Sequence, residues 1–409
     1  MAIAAVVFTW SWLAVWFWAT LLIGLVWFRR HIDINRGRNE PILSDADATD
    51  APGNLPRLTV LVAAKDEEAN IARCLEGLIR QEYPNLQIIA IDDRSTDRTP
   101  AILDELAARH PHLTALHVDH LPPGWFGKNN AMRVGLEQAT GELFCFTDAD
   151  CQFDSPRLLH AAVSYARRHD VDLLSVLPHL ETGTFWERVV QPVAGAVMVF
   201  WFPPQRVNSP RCSTAYANGA FMLMSRQTYE AIGGHEFARA TLNEDMHMAR
   251  QVKRVGRRLC VLRGGDMYRV RMYVGLRQIW RGWSRIFYGC FGTVPRLIGS
   301  AAMLSIFSLS PYITLLLSPL AGGAALAIAA AAAIAILAQQ SILFRFYGLS
   351  GIAPAWALTY PLGAAFCLGM TLNAMTRLGG KQTTWRGTSY TGGAHASATP
   401  SDNNTPPQQ

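Results

Sequence analysis

Three stretches of the chain carry no charged side chain at all: residues 2–28, 297–344 and 346–376. A helix that crosses the hydrocarbon core of a bilayer needs about 20 apolar residues. The first stretch therefore accommodates one span, the second two and the third one. A signal peptide would show a basic start, a shorter apolar core and a small-residue cleavage site, and residues 2–28 show none of these clearly. They read as an uncleaved anchor. Arg29, Arg30, Arg36 and Arg38 follow it, which puts that side in the cytoplasm by the positive-inside rule. An integral protein of a bacterial-type cytoplasmic membrane is expected, with its polar domain cytoplasmic.

Composition narrows the partners. The chain has 37 Lys and Arg against 31 Asp and Glu, a net charge of +6. Nucleic-acid binding asks for a dense basic face. Here the arginines gather beside the apolar runs, as at Arg29 and Arg30 and again between Arg269 and Arg285. Anionic lipid headgroups are thus the expected partner and nucleic acid is not. The seven cysteines show no CxxC or zinc spacing and read as reduced thiols of a chain facing the cytosol.

Residues 29–56 lack periodicity and read as a linker. From Arg57 the texture becomes alternating strand and helix. Apolar, β-branched runs predict strands over 58–64, 87–91, 113–118 and 143–146, with further strands over 171–176 and 259–262. Helical spacing predicts helices over 67–81, 100–110, 129–139, 155–169 and 243–255. Repeated βα units of this size imply an α/β domain with a mostly parallel sheet, bounded at 57–270. Residues 189–202 are apolar and aromatic but interrupted, and are expected to lie on the membrane or line an acceptor groove. Residues 271–292 mix Arg277, Arg281 and Arg285 with Ile279, Trp280, Trp283, Phe287 and Tyr288, the composition of an interfacial helix. Two or three spans are expected over 297–376, then a polar tail over 377–409 without fixed structure.

The acids fall where chemistry is expected. In parallel α/β sheets ligands bind at the carboxyl ends of the strands. Asp148 and Asp150 follow the strand at 143–146, and such hard oxygen ligands suit a divalent cation, Mg2+ or Mn2+, holding a phosphorylated substrate. Lys65, Asp66, Glu67 and Glu68 end the first strand, and Asp92, Asp93 and Asp97 follow the second. Carboxylates there can accept hydrogen bonds from ribose hydroxyls and a base N–H. Asp66, Glu68 and Asp97 can equally be helix caps. A dinucleotide fold and a phosphate-loop NTPase are both disfavoured, since neither glycine signature follows the first strand.

Taken together, these motifs resemble a membrane-anchored glycosyltransferase of the family 2 (GT-A) type. The resemblance rests on Lys65 to Glu68, on Asp92 to Thr99, on Gly127 to Gly135 and on Thr147-Asp148-Ala149-Asp150. It continues through Asn218 to Arg226, Ile232 to His235 and Asn243-Glu244-Asp245-Met246, in the family's order. It implies that Glu67, Asp93, Lys128, Asp148 and Arg281 bind a nucleotide-sugar, with a UDP-sugar the expected donor. Asp148 and Asp150 would hold the metal, Asp245 would be the catalytic base, and Gly219, Glu244 and Trp283 would belong to the acceptor region. Sugar transfer expels a diphosphate that gathers charge, which a cation stabilises, while the attacking hydroxyl must lose a proton to a base. With one attack and one base, the resemblance implies inversion.

Polymerising members of the family carry Gln-x-x-Arg-Trp on the interface helix. Here Gln278 and Arg281 are followed by Gly282, with Trp283 one step later. Single transfer to a lipid hydroxyl is therefore expected, as in the hopanoid-associated, carotenoid and ceramide enzymes that the chain also resembles. A processive synthase and a catalytically dead sugar-nucleotide binder are the alternatives. One conflict stays open. An anchor plus three later spans would put Arg377, Lys381 and Arg386 outside, against the charge rule. Either one apolar stretch is re-entrant, or the segment 322–338 is not an independent span.

Overall fold

The computed structural model describes residues 2–38, 40–291, 293–376, 383–385, 388–391 and 397–398. The chain forms two compact units. A sheet unit comprises Pro41–Glu181 and Val199–Met272 with the chain from Arg377 onward, and a helical unit comprises Met1–Glu40, Thr182–Met198 and Tyr273–Thr376.

Ten strands form in the sheet unit before the tail: β1 (Leu58–Ala64), β2 (Leu86–Asp93), β3 (Leu113–Val118), β4 (Leu143–Asp148), β5 (Cys151–Phe153), β6 (Leu173–Leu177), β7 (His179–Leu180), β8 (Met222–Ser225), β9 (Leu259–Arg263) and β10 (Tyr268–Val270). Seven make one sheet in the order β3-β2-β1-β4-β8-β6-β9. Every pairing in it is parallel except those of β8 with β4 and with β6. The mostly parallel α/β architecture expected from the βα alternation is thus present. Strand β1 is buried along nearly its whole length, as a central strand covered on both faces must be. Helix Ile71–Ile79 turns Ile71, Cys74, Leu75 and Leu78 inward against this core, the i, i+3, i+4, i+7 face read in the sequence.

Register sets the geometry of the site. Ala63 of β1 lies opposite Asp148 of β4, and Ala64 lies opposite Asp92 of β2. With strands spaced about 4.8 Å apart, the acid-bearing tips of β2 and β4 flank β1 at roughly 10 Å from one another. Three departures from the sequence reading concern this unit. The linker is docked rather than loose: Leu43 is 1% exposed and its N–H bonds Arg263 O at 2.9 Å. Strand β8 interrupts the parallel order. Most of the tail expected to lack structure lies outside the described residues, apart from short antiparallel strands at Thr383–Trp385, Thr388–Thr391 and Ser397–Ala398.

In the helical unit the first helix runs from Ala2 to Arg38, past the charge boundary at Phe28, because no proline interrupts it. Among the described residues three segments are long and apolar enough to cross a membrane: Ser11–Asn35, Val294–Leu349 and Pro354–Met375. The second, 56 residues long, doubles back on itself. On one straight helix Tyr312 and Gln340 would sit about 42 Å apart, yet Gln340 Nε2 donates to Tyr312 OH at 2.7 Å. The reversal falls at Ser318–Ala324, where Gly322 adopts φ 55° and ψ −122°, a conformation open to glycine.

Contacts to the first helix orient the limbs. Trp16 Nε1 reaches Thr314 Oγ1 at 3.2 Å and Trp27 Nε1 reaches Phe307 O at 2.7 Å, so the outgoing limb is antiparallel to it. His31 meets Ser341 at 3.0 Å, and a Cβ on Gly24 would lie 3.1 Å from Ala335 Cα, so the returning limb is parallel. A π-helical turn at Leu304–Leu309 shifts the carbonyl pattern there. Phe307 O and Ser308 O take side-chain donors from Gln339 at 3.2 and 3.3 Å. Helix Tyr360–Met375 then runs from Ser308, which Tyr360 OH contacts at 2.8 Å, to Ser284, which Asn373 Nδ2 contacts at 3.1 Å. It lies beside the earlier part of the outgoing limb, and the Trp16–Thr314 contact is about 9 Å farther along that limb.

Candidate active site

Two kinds of acid stand at the strand tips. Asp66, Glu68 and Asp97, at the first two tips, are braced against backbone. Asp66 Oδ1 accepts the Thr96 N–H at 2.8 Å, and the Asp66 N–H donates to Ser95 Oγ at 2.9 Å. Glu68 Oε2 accepts the Arg98 N–H at 3.1 Å, and Asp97 Oδ2 accepts the Glu68 N–H at 3.0 Å. The loops after β1 and β2 are thereby laced together. Asp66 (φ 53°) and Arg94 (φ 58°) sit in the left-handed region, a cost on the order of 1 kcal/mol each, held by that lacing.

Glu67 and Asp93, the acids expected at the nucleoside, are both buried, at 7% and 3% exposure. Glu67 Oε2 accepts from Asn70 Nδ2 at 2.9 Å. Asp93 is gripped by the fork of its neighbour Arg94, at 2.8 and 3.0 Å. A side chain at position 127 would overlap Asp93 Oδ2, so Gly127 is what lets the next helix start against this carboxylate.

That helix, Gly127–Glu137, carries Lys128 into the centre of the site. Its Nζ lies 2.6 Å from Asp148 Oδ1 at the tip of β4 and 2.6 Å from Glu244 Oε1 at the start of helix Glu244–Arg254. Burial opposes the ammonium charge, but the Asp148 and Glu244 carboxylates overcome it and hold Lys128 firmly protonated. Asp245 is deep-set yet keeps an accessible edge. Its Oδ2 accepts the Gly219 N–H at 3.1 Å and its Oδ1 the Met246 N–H at 2.6 Å. Burial, then the charge of Glu244, pushes its pKa up to about 7, against the opposing pull of Lys128 and the two N–H donors. A carboxylate so poised is half-protonated near neutral pH, the condition for general-base work.

The structure thus gathers Lys128, Asp148, Gly219, Glu244 and Asp245 into one cluster, with Asp150 two residues beyond Asp148 and Glu67 and Asp93 at the neighbouring tips. Arg281 and Trp283 belong to the helical unit, on helix Gly275–Phe291. Arg281 is exposed and Trp283 is buried against Phe287. Among the described residues no group of three or more His, Cys, Asp or Glu side chains is arranged to hold a metal.

Two further residues were given no role in the site by the sequence. His235 is 1% exposed, bonded through Nδ1 to Tyr229 OH at 3.0 Å. Burial, with Lys128 nearby, pushes its pKa down to about 3, so it is neutral. Nothing in its motif signalled that neighbourhood. Glu187, in the helical unit, is fully buried. It accepts from Gly183 N at 2.6 Å, Thr184 Oγ1 at 2.7 Å and Gly275 N at 3.3 Å, tying the starts of helices Phe185–Trp201 and Gly275–Phe291 together. The Thr-x-x-Glu spacing ahead of an apolar run was its available signal.

Residues 59–233 match the model of the glycosyl transferase family 2. A beta-monoglucosyldiacylglycerol synthase of Nostoc sp. is 34% identical over 200 residues, 48% of this chain and 41% of that protein. The synthase of the same description from Synechocystis sp. is 30% identical over 259 residues, 61% of this chain and 51% of that protein. A 4,4'-diaponeurosporenoate glycosyltransferase of Staphylococcus aureus is 27% identical over 274 residues, covering 65% of this chain and 70% of the other. The chain spans about half the length, or less, of the two synthases. Among solved structures, a mannosyltransferase of Pyrobaculum calidifontis in complex with GDP-Man and Mn2+ shares the fold. Its TM-score is 0.51 at 22% identity, with coverage of 89% of this chain and 96% of that one.

Proposed function

We propose, from the family 2 glycosyltransferase domain that residues 59–233 form, that this chain is a membrane glycosyltransferase. It moves one sugar from a nucleotide-sugar to a lipid hydroxyl, with inversion. The observation that carries this reading is Lys128, 2.6 Å from both Asp148 and Glu244, beside an Asp245 held near neutral pKa. Donor-side and acceptor-side groups meet there at the carboxyl ends of the strands.

Glu67 and Asp93 receive the nucleoside, as hydrogen-bond acceptors preset by the braced loops. Asp148 and Asp150 offer carboxylate oxygens, and the donor's phosphates would complete an oxygen set suited to Mg2+ or Mn2+. This donor set fits a cation that arrives with its diphosphate. When bound, that cation supplies Lewis-acid stabilisation of the leaving diphosphate. Lys128 places a compact positive charge at the same point. Asp245, its carboxylate oriented by the Gly219 and Met246 N–H groups, takes the proton of the acceptor hydroxyl. Arg281 is assigned to the donor diphosphate and Trp283 to the acceptor region on the motif alone. A UDP-sugar is the donor proposed, and a glycerolipid or isoprenoid lipid the acceptor class, the latter because relatives named for a glucosyldiacylglycerol and for diaponeurosporenoate resemble the chain.

The helical unit supports a three-crossing topology. Ser11–Asn35 enters the cytoplasmic side at its arginine end, residues 294–317 leave, and residues 325–349 return. Helix Tyr360–Met375 begins level with Trp27 and runs back toward Ser284, so it is read as re-entrant. Both the sheet unit and Arg377, Lys381 and Arg386 then face the cytoplasm, and the charge conflict disappears. Cysteine labelling with a membrane-impermeant reagent at position 320 and beyond position 376 tests this. Label from outside is expected only at position 320.

The activity is tested by incubating membranes with a panel of labelled nucleotide-sugars and identifying labelled lipid by mass spectrometry. A lipid carrying one sugar is expected. Polymer would favour a processive synthase, and no label in any product would contradict the enzyme reading.

A further inference from the structure

Glu244 differs from the other acids of the cluster in what can reach it. The Asp148 side chain is 36% exposed and that of Glu244 is 8% exposed. A cation or diphosphate arriving from solvent meets the more exposed Asp148 first, whereas the buried Glu244 has Lys128 Nζ 2.6 Å from its Oε1. The same ammonium lies 2.6 Å from Asp148 Oδ1. One positive charge is therefore shared between a carboxylate that must change partners when a donor binds and one that need not.

The consequence follows from competition. An ammonium with a single buried carboxylate partner directs its charge-assisted bonds to that partner. If Asp148 were that partner, any incoming cation would have to strip Lys128 from it and leave a buried charge unpaired. A second carboxylate relieves this, since the ammonium keeps a partner after Asp148 lets go. Neutral His235, although close, supplies no negative charge for the purpose. Gly219 keeps the arrangement compact: a Cβ there would lie 3.1 Å from Lys128 Nζ and 3.6 Å from Glu244 Oε1.

We propose that Glu244 is a positioning residue, neither the base nor an acceptor ligand. It anchors Lys128 so that Asp148 can pass to the donor's cation while the ammonium stays beside the departing diphosphate. This deepens the donor-site reading above and rests on it.

The test measures Mn2+ binding to the purified full-length protein with UDP present and no acceptor, reading free Mn2+ by electron paramagnetic resonance. Four proteins are compared: wild type, Glu244→Gln, Lys128→Met and the double variant. Glu244→Gln is expected to weaken Mn2+ binding about 10-fold, the equivalent of about 1.4 kcal/mol. In the Lys128→Met background the same change should cost less than about 2-fold, because the anchor has nothing left to hold, a coupling of the kind double-mutant cycles resolve. Glu244→Asp keeps the charge and should recover most of the affinity, which separates anchoring from misfolding. Equal weakening in both backgrounds would overturn the inference, because Glu244 would then act as a direct ligand or a diffuse charge. Unchanged Mn2+ affinity with a raised acceptor KM would overturn it as well. If wild type binds no Mn2+ with UDP or with GDP, the donor-site reading itself fails and takes the inference with it.

Discussion

The acids at the tips of β1 and β2 and those around Lys128 are the same residue types at the same end of the same sheet, yet they are spent differently. Asp66, Glu68 and Asp97 hold backbone N–H groups of the facing loop. Asp148 and Glu244 hold an ammonium, and Asp245 is left poised near neutral pKa. Asp66, Glu68 and Asp97 are bonded to amides of the facing loop and serve as braces. Asp245, also held by the Gly219 and Met246 N–H groups, is set apart by burial beside the charges of Glu244 and Lys128. A carboxylate paired with a side-chain cation can trade it for a ligand. Burial and the charges nearby, and not the residue type or the strand tip, separate scaffold from chemistry.

That contrast breaks most sharply at Asp148. Asp148→Ala should remove the exchangeable partner, lowering transfer by at least about 100-fold and weakening donor binding in parallel. Isothermal titration with nucleotide and Mn2+ reads the binding loss, which exceeds the effect of any bracing acid if electrostatic stabilisation dominates here. Next in size is the pH dependence. Asp245 must be ionised to accept a proton, and its pKa is raised to about 7. The rate should therefore climb as pH rises through about 7 and flatten above it. A profile already flat from pH 5 upward would contradict the assignment.

The bracing acids should do less. Asp66→Ala removes an acceptor from Thr96 N and Oγ1, a cost of about 0.5–1.5 kcal/mol since water can reach these exposed donors. A lower thermal midpoint is expected, with transfer reduced less than about 10-fold. A loss as large as that of Asp148→Ala would erase the distinction drawn here. Smallest of all, Glu68→Gln keeps an acceptor oxygen for the Arg98 N–H and should change stability by less than about 1 kcal/mol in the same melting assay.

Much of this was legible in the sequence, and the parts that were not share physical causes. Period and β-branching mark β1, a central strand, and β3, at the sheet's edge, to the residue, because both are short apolar runs set off by polar turns. Strand β8 was missed: Met222, Leu223 and Met224 are all buried, so the segment shows no alternation, and its antiparallel pairing depends on partners far along the chain. A reversal was implied by an apolar run long enough for two spans, but its place at Gly322 is silent in hydropathy, since both limbs are apolar. Contacts such as those of Gln340 with Tyr312 and of Gln339 with Phe307 mark where the run folds back. At the site, its place after a strand singled out Asp148, and the family resemblance singled out Asp245. Neither could show that Lys128 joins Asp148 to Glu244, because that bond closes across three separate elements.

The central claim, that donor binding and proton removal reside in different carboxylates of one cluster, is tested most directly by Asp245→Asn. Nucleotide-sugar affinity and single-turnover transfer to lipid would be measured on the same preparation. The account predicts donor affinity within about 3-fold of wild type and transfer slowed by about 10²–10⁴-fold, the usual worth of a general base. Near-normal turnover, or loss of donor binding together with transfer, would contradict it.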